Sequence, residues 1–166
     1  MYYDLHIHSC LSPCADDDMT PNNICNMAFI KGLDVIAITD HNSCRNLPAF
    51  DVCAKNVGIK LIYGCELHTI EEVHVLGLFQ TLAEAMSMQE WIDEKLKHTE
   101  FDPAYFGNEL EMNEKDEVIQ RLDHLLIISL DATIDVTIDA IHSHHGSAVL
   151  AHAAGRTNSI CVQLGF

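Results

Sequence analysis

The sequence predicts an α/β fold built on a parallel sheet. Two observations carry that prediction. Short, continuous apolar runs alternate with helical patterns along the chain, as in βα units whose strands are covered on both faces. The chain has 166 residues, 48% of them apolar, which suits one domain with a sizeable core.

The elements follow in order. Residues 2–7 read as a short buried strand, and Ser9 to Met19 as an irregular loop rich in Ser, Pro, Cys and Asp. Thr20-Pro21 opens a helix, with Thr20 as N-cap and Pro21 at its first position. Ile24, Met27 and Ala28 form its apolar stripe, and Gly32 stops it. Asp34 to Ile38 is a strand ending in Thr39-Asp40-His41-Asn42. A helix spans Leu47 to Asn56 with Gly58 beyond it, and Ile59 to Tyr63 is a strand ending in Gly64-Cys65-Glu66. Val73 to Phe79 is a further strand. Thr81 to Glu84 is a capping box for a helix running to about His98. Residues 99–120 are polar and acidic and read as an excursion outside the core. Ile134 to His144 returns to helical spacing, and Ala148 to Ala151 is a last strand leading into His152.

Charge and cysteine content exclude several classes. The net charge is −16 with nine Lys+Arg, which repels nucleic-acid phosphates. Seven cysteines are scattered without a C-x-x-C pair, arguing against a disulfide framework or a Cys₄ zinc knuckle. Reduced thiols in a cytoplasmic protein are expected. We expect no signal peptide and no membrane span, because no apolar run nears the roughly 18 residues needed.

Eleven histidines are the compositional oddity. His6 and His8 lie two apart on a strand and leave the same face. Asp40-His41, Glu66 and His152 also follow strands, and in parallel α/β folds those strand ends converge on one face. His74 lies near the start of its strand and is the weaker candidate. Imidazoles with carboxylates favour Zn, Mn or Fe. His6, His8, Asp16, His41, Glu66, His74 and His152 are enough for two ions sharing a bridging carboxylate, with Glu66 as the bridge. Asp40 is expected to orient His41 or to ligate occasionally. Such sites activate water and clamp a phosphate for in-line displacement. Cys10 and Cys14, in the loop over the site, are read as packing. His142, His144 and His145 are read as cations favoured at a helix C-terminus.

Asp4-Leu5-His6-Ile7-His8-Ser9, Ile38-Thr39-Asp40-His41-Asn42, Gly64-Cys65-Glu66 and Ala151-His152 resemble successive motifs of the PHP (polymerase and histidinol phosphatase) family. The order and spacing fit over essentially the whole chain. The resemblance implies a distorted seven-stranded, TIM-like (β/α) barrel, two or three divalent metal ions, and hydrolysis of phosphate esters. Counting back from Thr20-Pro21 picks Asp16 as the family's next ligand, with Asp17 as competitor. It also implies a phosphate contact near Arg156. Ala153 stands where the family usually has Pro after the histidine. The family's closing Asp-x-His motif is missing before Phe166, so residues 1–166 are expected to form a single, incomplete barrel lacking its last strands. The expected activity is a metal-dependent phosphoesterase acting on a small phosphorylated metabolite or nucleotide. The alternative is a metal-binding regulatory or scaffolding domain without turnover. An incomplete barrel exposes apolar edges and invites homo-oligomerisation.

Overall fold

A computed structural model describes the chain except residues 155, 156 and 166. It is an α/β sheet structure. A five-stranded sheet runs in the order β1 (Tyr3–Ile7), β2 (Val35–Ile38), β3 (Lys60–His68), β4 (His74–Phe79) and β7 (Ser147–Leu150). The helices are α1 (Pro21–Ile30), α2 (Leu47–Val57), α3 (Leu82–Lys95), α5 (Ile134–Ser143) and two short turns, α4 (Pro103–Phe106) and α6 (Ile160–Leu164). The remaining strands, β5 (Leu110–Met112) and β6 (Val118–Arg121), form a separate antiparallel pair. The main sheet is open, with β1 and β7 as its edges, as expected of an incomplete barrel.

The local sequence signals act as expected at most ends. Thr20 accepts from the Asn23 N–H with Pro21 at the first position of α1. Gly58 caps α2 in the left-handed region, where a side chain would be strained. Thr81 and Glu84 form the reciprocal box of α3. That helix ends at Lys95, short of the expected His98. Leu96 turns to extended geometry and packs against the Leu11, Leu122 and Leu126 cluster.

The sheet is mixed, not all-parallel. β1, β2 and β3 are parallel, whereas β4 runs against both β3 and β7. The reason is the link between β3 and β4. Only residues 69–73 join them, and a parallel crossover needs a dozen or more residues. The reversal matters because the start of β4 then lies at the same rim as the ends of the other strands. His74 pairs with His68, and Ala151 N–H donates to the His74 carbonyl.

The core lies between this sheet and its helices. Ile36, Ile38, Leu67 and Phe79 from the strands meet Phe50 of α2, Met88 and Ile92 of α3, and Ile141 of α5. Gly64 allows β3 to sit tightly between its neighbours: a Cβ there would stand 2.9 Å from Thr39 Cγ2 and 3.1 Å from the Gly77 carbonyl oxygen. Residues 99–120 contain more structure than their polarity suggests. Leu110 and Met112 are buried with Cys10, and Asn46 ties them down by donating to the Leu110 carbonyl and accepting from Met112 N–H. The hairpin was hidden in the sequence because its strands are three and four residues long and β6 is wholly exposed.

Candidate metal centre

Glu66 organises the rim. It lies within β3, which runs three residues further than the sequence pattern showed before reaching it, and its side chain is 2% exposed. Oε1 lies 3.2 Å from His6 Nε2, 3.1 Å from His74 Nδ1 and 3.3 Å from His152 Nε2. Oε2 lies 3.2 Å from His8 Nε2 and 3.3 Å from His41 Nδ1. Five imidazoles from four parts of the chain therefore meet one carboxylate. Together these six residues line an open cavity of about 520 Å³.

Each histidine is held by its element. His6 lies near the end of β1 and His8 just beyond it, with their Nε2 atoms 3.1 Å apart. His41 forms a parallel bridge to Glu66. His74 reaches the site because β4 is reversed, so the weak candidate of the sequence is nine-tenths buried against Glu66. His152 follows β7 with φ of +29°, and Asn42 beside His41 has φ of +42°. Non-glycine residues in that region persist only when the surroundings hold them there. Asn42 is held by donating to the carbonyls of Leu126 and Ile128 and accepting from His68 N–H.

The donor set fits divalent metal. Two ligands at about 2.0–2.1 Å from a tetrahedral ion stand about 3.3 Å apart, which is the spacing seen around Glu66. Buried His41 Nδ1 faces Glu66 Oε2 at 3.3 Å without a hydrogen bond, an arrangement that is costly without a ligand. Two trios bring their ligand atoms within 4.8 Å of one another in this core, His6/His8/Glu66 and His41/Glu66/His74. Glu66 is shared, as a bridging carboxylate would be.

Protonation tends the same way. Burial alone would raise the Glu66 pKa, but hydrogen bonds from His6, His74 and His8 hold it far below the usual carboxylate range. Burial and the nearby charge of His8 push His41 down to about 3. Burial also lowers His152. An ionised carboxylate and neutral imidazoles are the forms that ligate metal. His8 is the exception: burial opposes its charge, but hydrogen bonds to Cys14 and Glu66 lift it to about 10.

Asp16 and Cys14 are placed otherwise than expected. Asp16 is not brought to the cluster. It is exposed, and its carboxylate accepts from Asp18 N–H in a local turn. Its competitor Asp17 accepts from the Asn108 amide instead. Asp40 touches no imidazole directly. It is buried and accepts from Ser9 N–H, Ser9 hydroxyl and Ser12 hydroxyl at 2.6–2.7 Å. Ser12 Oγ in turn accepts from His41 N–H and lies 3.1 Å from His8 Nδ1. Asp40 thus orients the site through Ser12, a residue the sequence reading missed; two serines in an irregular loop carry no periodic signal. Arg156 lies outside the described residues. Cys10 packs as expected, but Cys14 is exposed, with its sulfur 3.8 Å from His8 Nδ1. His144 caps α5 and bonds Ser87, away from the cluster.

A 5'-3' exoribonuclease of Haemophilus influenzae is 37% identical over 79 residues, covering 46% of this chain and 28% of that protein. An uncharacterized protein of Methanocaldococcus jannaschii is 35% identical over 107 residues, 58% of this chain and 61% of its own length. The chain therefore spans less than two thirds of either relative. In structure it is similar to a candidate metal-dependent phosphoesterase of Bifidobacterium adolescentis, with a TM-score of 0.62 and 19% identity over 99% of this chain and 73% of the other. The PHP domain family model matches residues 4–160. On that match, spanning nearly all of the sequence and every histidine gathered around Glu66, the chain belongs to the PHP domain family.

Proposed function

We propose that this chain is a metal-dependent phosphoesterase that hydrolyses a small phosphorylated metabolite or nucleotide with metal-activated water. The observation that carries the reading is the shared carboxylate of Glu66 facing five imidazoles at 3.1–3.3 Å. His6, His8 and Glu66 would hold one ion, and His41, Glu66 and His74 another, with His152 beside them. Bound there, two or three ions of Zn, Mn or Fe supply a water nucleophile and offset charge on the phosphoryl oxygens. The chain's own residues keep the donors ready. Glu66 stays ionised and His41 neutral through neutral pH. Asp40 and Ser12 fix the His8 and His41 segments, which keeps the donors oriented before any ligand arrives.

The net charge of −16 favours a small phosphorylated substrate over long nucleic acid. A second reading has one observation behind it: the name of the Haemophilus relative, which favours a phosphodiester at the end of an RNA. No helix among the described residues is long and apolar enough to cross a membrane. The seven cysteines are free thiols, which suits the reducing cytoplasm we assign.

The test is hydrolysis of an aryl phosphate and a bis-aryl phosphate diester by chain stripped with chelator and then reloaded with Zn, Mn or Fe(II). Turnover should vanish on stripping and return with metal. Equal rates in stripped and reloaded protein would end this mechanism. Metal uptake without release of either product would favour a binding domain.

A further inference from the structure

We propose that Cys14 is a thiolate ligand of the metal centre, sharing a cation with His8 and His41. The inference rests on the metal-dependent reading above and concerns which residue from the covering loop completes the site.

The loop after β1 was expected to deliver a carboxylate. In the structure Asp16 faces solvent and Asp17 faces Asn108. Cys14 occupies the inward position: its sulfur stands beside His8, and His8, Cys14 and His41 bring one donor atom each within 4.8 Å of one another. This is a third trio, overlapping the two built on Glu66. His41 is 5% exposed, and its Nδ1, 3.3 Å from Glu66 Oε2 without a hydrogen bond, ties this trio to the Glu66 centre. The ring centroids of His8 and His41 are only 4.4 Å apart, so both imidazoles border the same gap.

The other thiols are placed differently. Cys10, Cys25, Cys44, Cys53 and Cys65 are buried, and Cys161 lies on α6. Cys14 alone is exposed and next to the histidines. A thiolate and an imidazole on one tetrahedral zinc stand about 3.6 Å apart. The sulfur already stands 3.8 Å from His8 Nδ1, an atom that also lies 3.1 Å from Ser12 Oγ. Binding breaks the S–H bond, releases its proton to solvent and forms the metal–sulfur bond. A thiolate in this position biases the pocket toward Zn, Co or Fe(II) and against Mg and Mn.

Cobalt(II) reports the bond directly, because a coordinated thiolate gives a near-ultraviolet charge-transfer band that imidazole and carboxylate do not. We expect metal-stripped protein reloaded with Co(II) to show that band. It should be absent in Cys14→Ser and retained in Cys161→Ser, with Cys14→Ser binding fewer cobalt ions per chain. In the unsubstituted chain, Zn(II) should slow iodoacetamide labelling of Cys14 at least tenfold, read by peptide mass. Cobalt bound without the band, or with an identical spectrum and stoichiometry in Cys14→Ser, would overturn the thiolate assignment and leave the Glu66 centre standing. So would labelling at the same rate with and without zinc. A chain that takes up no cobalt overturns the metal reading and this inference together.

Discussion

Glu66 and Glu109 are each 1% exposed, yet their surroundings are opposite. Glu66 faces five imidazoles, and its pKa is held far below the usual range. Glu109 sits beside the Leu11, Leu122 and Leu126 cluster. One of its oxygens accepts from Leu126 N–H, and the other has no partner. Burial pushes its pKa up to about 7 against that single bond. The same side chain at the same depth is a permanent anion in one region and a half-protonated acid in the other. Burial sets the cost of the charge, and the neighbours decide whether it is met.

The largest effect should come from removing the charge where it is shared. Glu66→Gln should lose more than about 100-fold in hydrolysis, with metal content falling in parallel by elemental analysis. Full metal content and full rate in that variant would show that the rim does not depend on its carboxylate.

A smaller effect should follow from loosening the frame. Ser12→Ala removes the link from Asp40 to His8 and the acceptor for His41 N–H. Metal affinity should fall about 10–100-fold, measured by competition with a chromophoric chelator, and the metal-free chain should lose about 1–3 kcal/mol of stability because the buried His41 N–H is left without an acceptor.

The smallest effect belongs to the other glutamate. Glu109 has a folded pKa above its unfolded value, so between about pH 4.5 and 7 the folded state binds more protons than the unfolded one. Its contribution to stability therefore declines as pH rises through that window, by at most about 1.4 kcal/mol per pH unit. Glu109→Gln should flatten the slope of unfolding free energy in urea across that window and leave metal content unchanged. An identical slope in both proteins would remove the contrast with Glu66. In the metal-free chain Glu66 acts with the opposite sign: its depressed pKa contributes stability above about pH 4.5 that is lost as pH falls.

Much of this was legible in the residues. The H-x-H pair, Thr20-Pro21, the Thr81–Glu84 box and Gly58 are local signals, and local signals specify strand faces and helix ends without help from distant chain. Glu66 and His152 were identifiable because they follow apolar runs and match a family pattern. Asp16 could not be told from its neighbours because three consecutive acids, 16–18, are indistinguishable by composition. The hairpin at residues 110–121 escaped because its stability comes from main-chain bonds to Cys10 and from Asn46, contacts that cross 100 and 64 residues respectively.

By itself the sequence determined where the strands of the main sheet and its four longer helices begin, which imidazoles lie near strand ends, and that their company suits divalent cations. Periodicity and capping act over a few residues, so they can be read from a few residues. Only the tertiary structure decided that β4 is reversed, bringing His74 to the rim, that Asp40 acts through Ser12, and that Cys14 faces His8 while Asp16 faces water. Those outcomes depend on strand direction and loop path, which are set by packing between segments far apart in the chain.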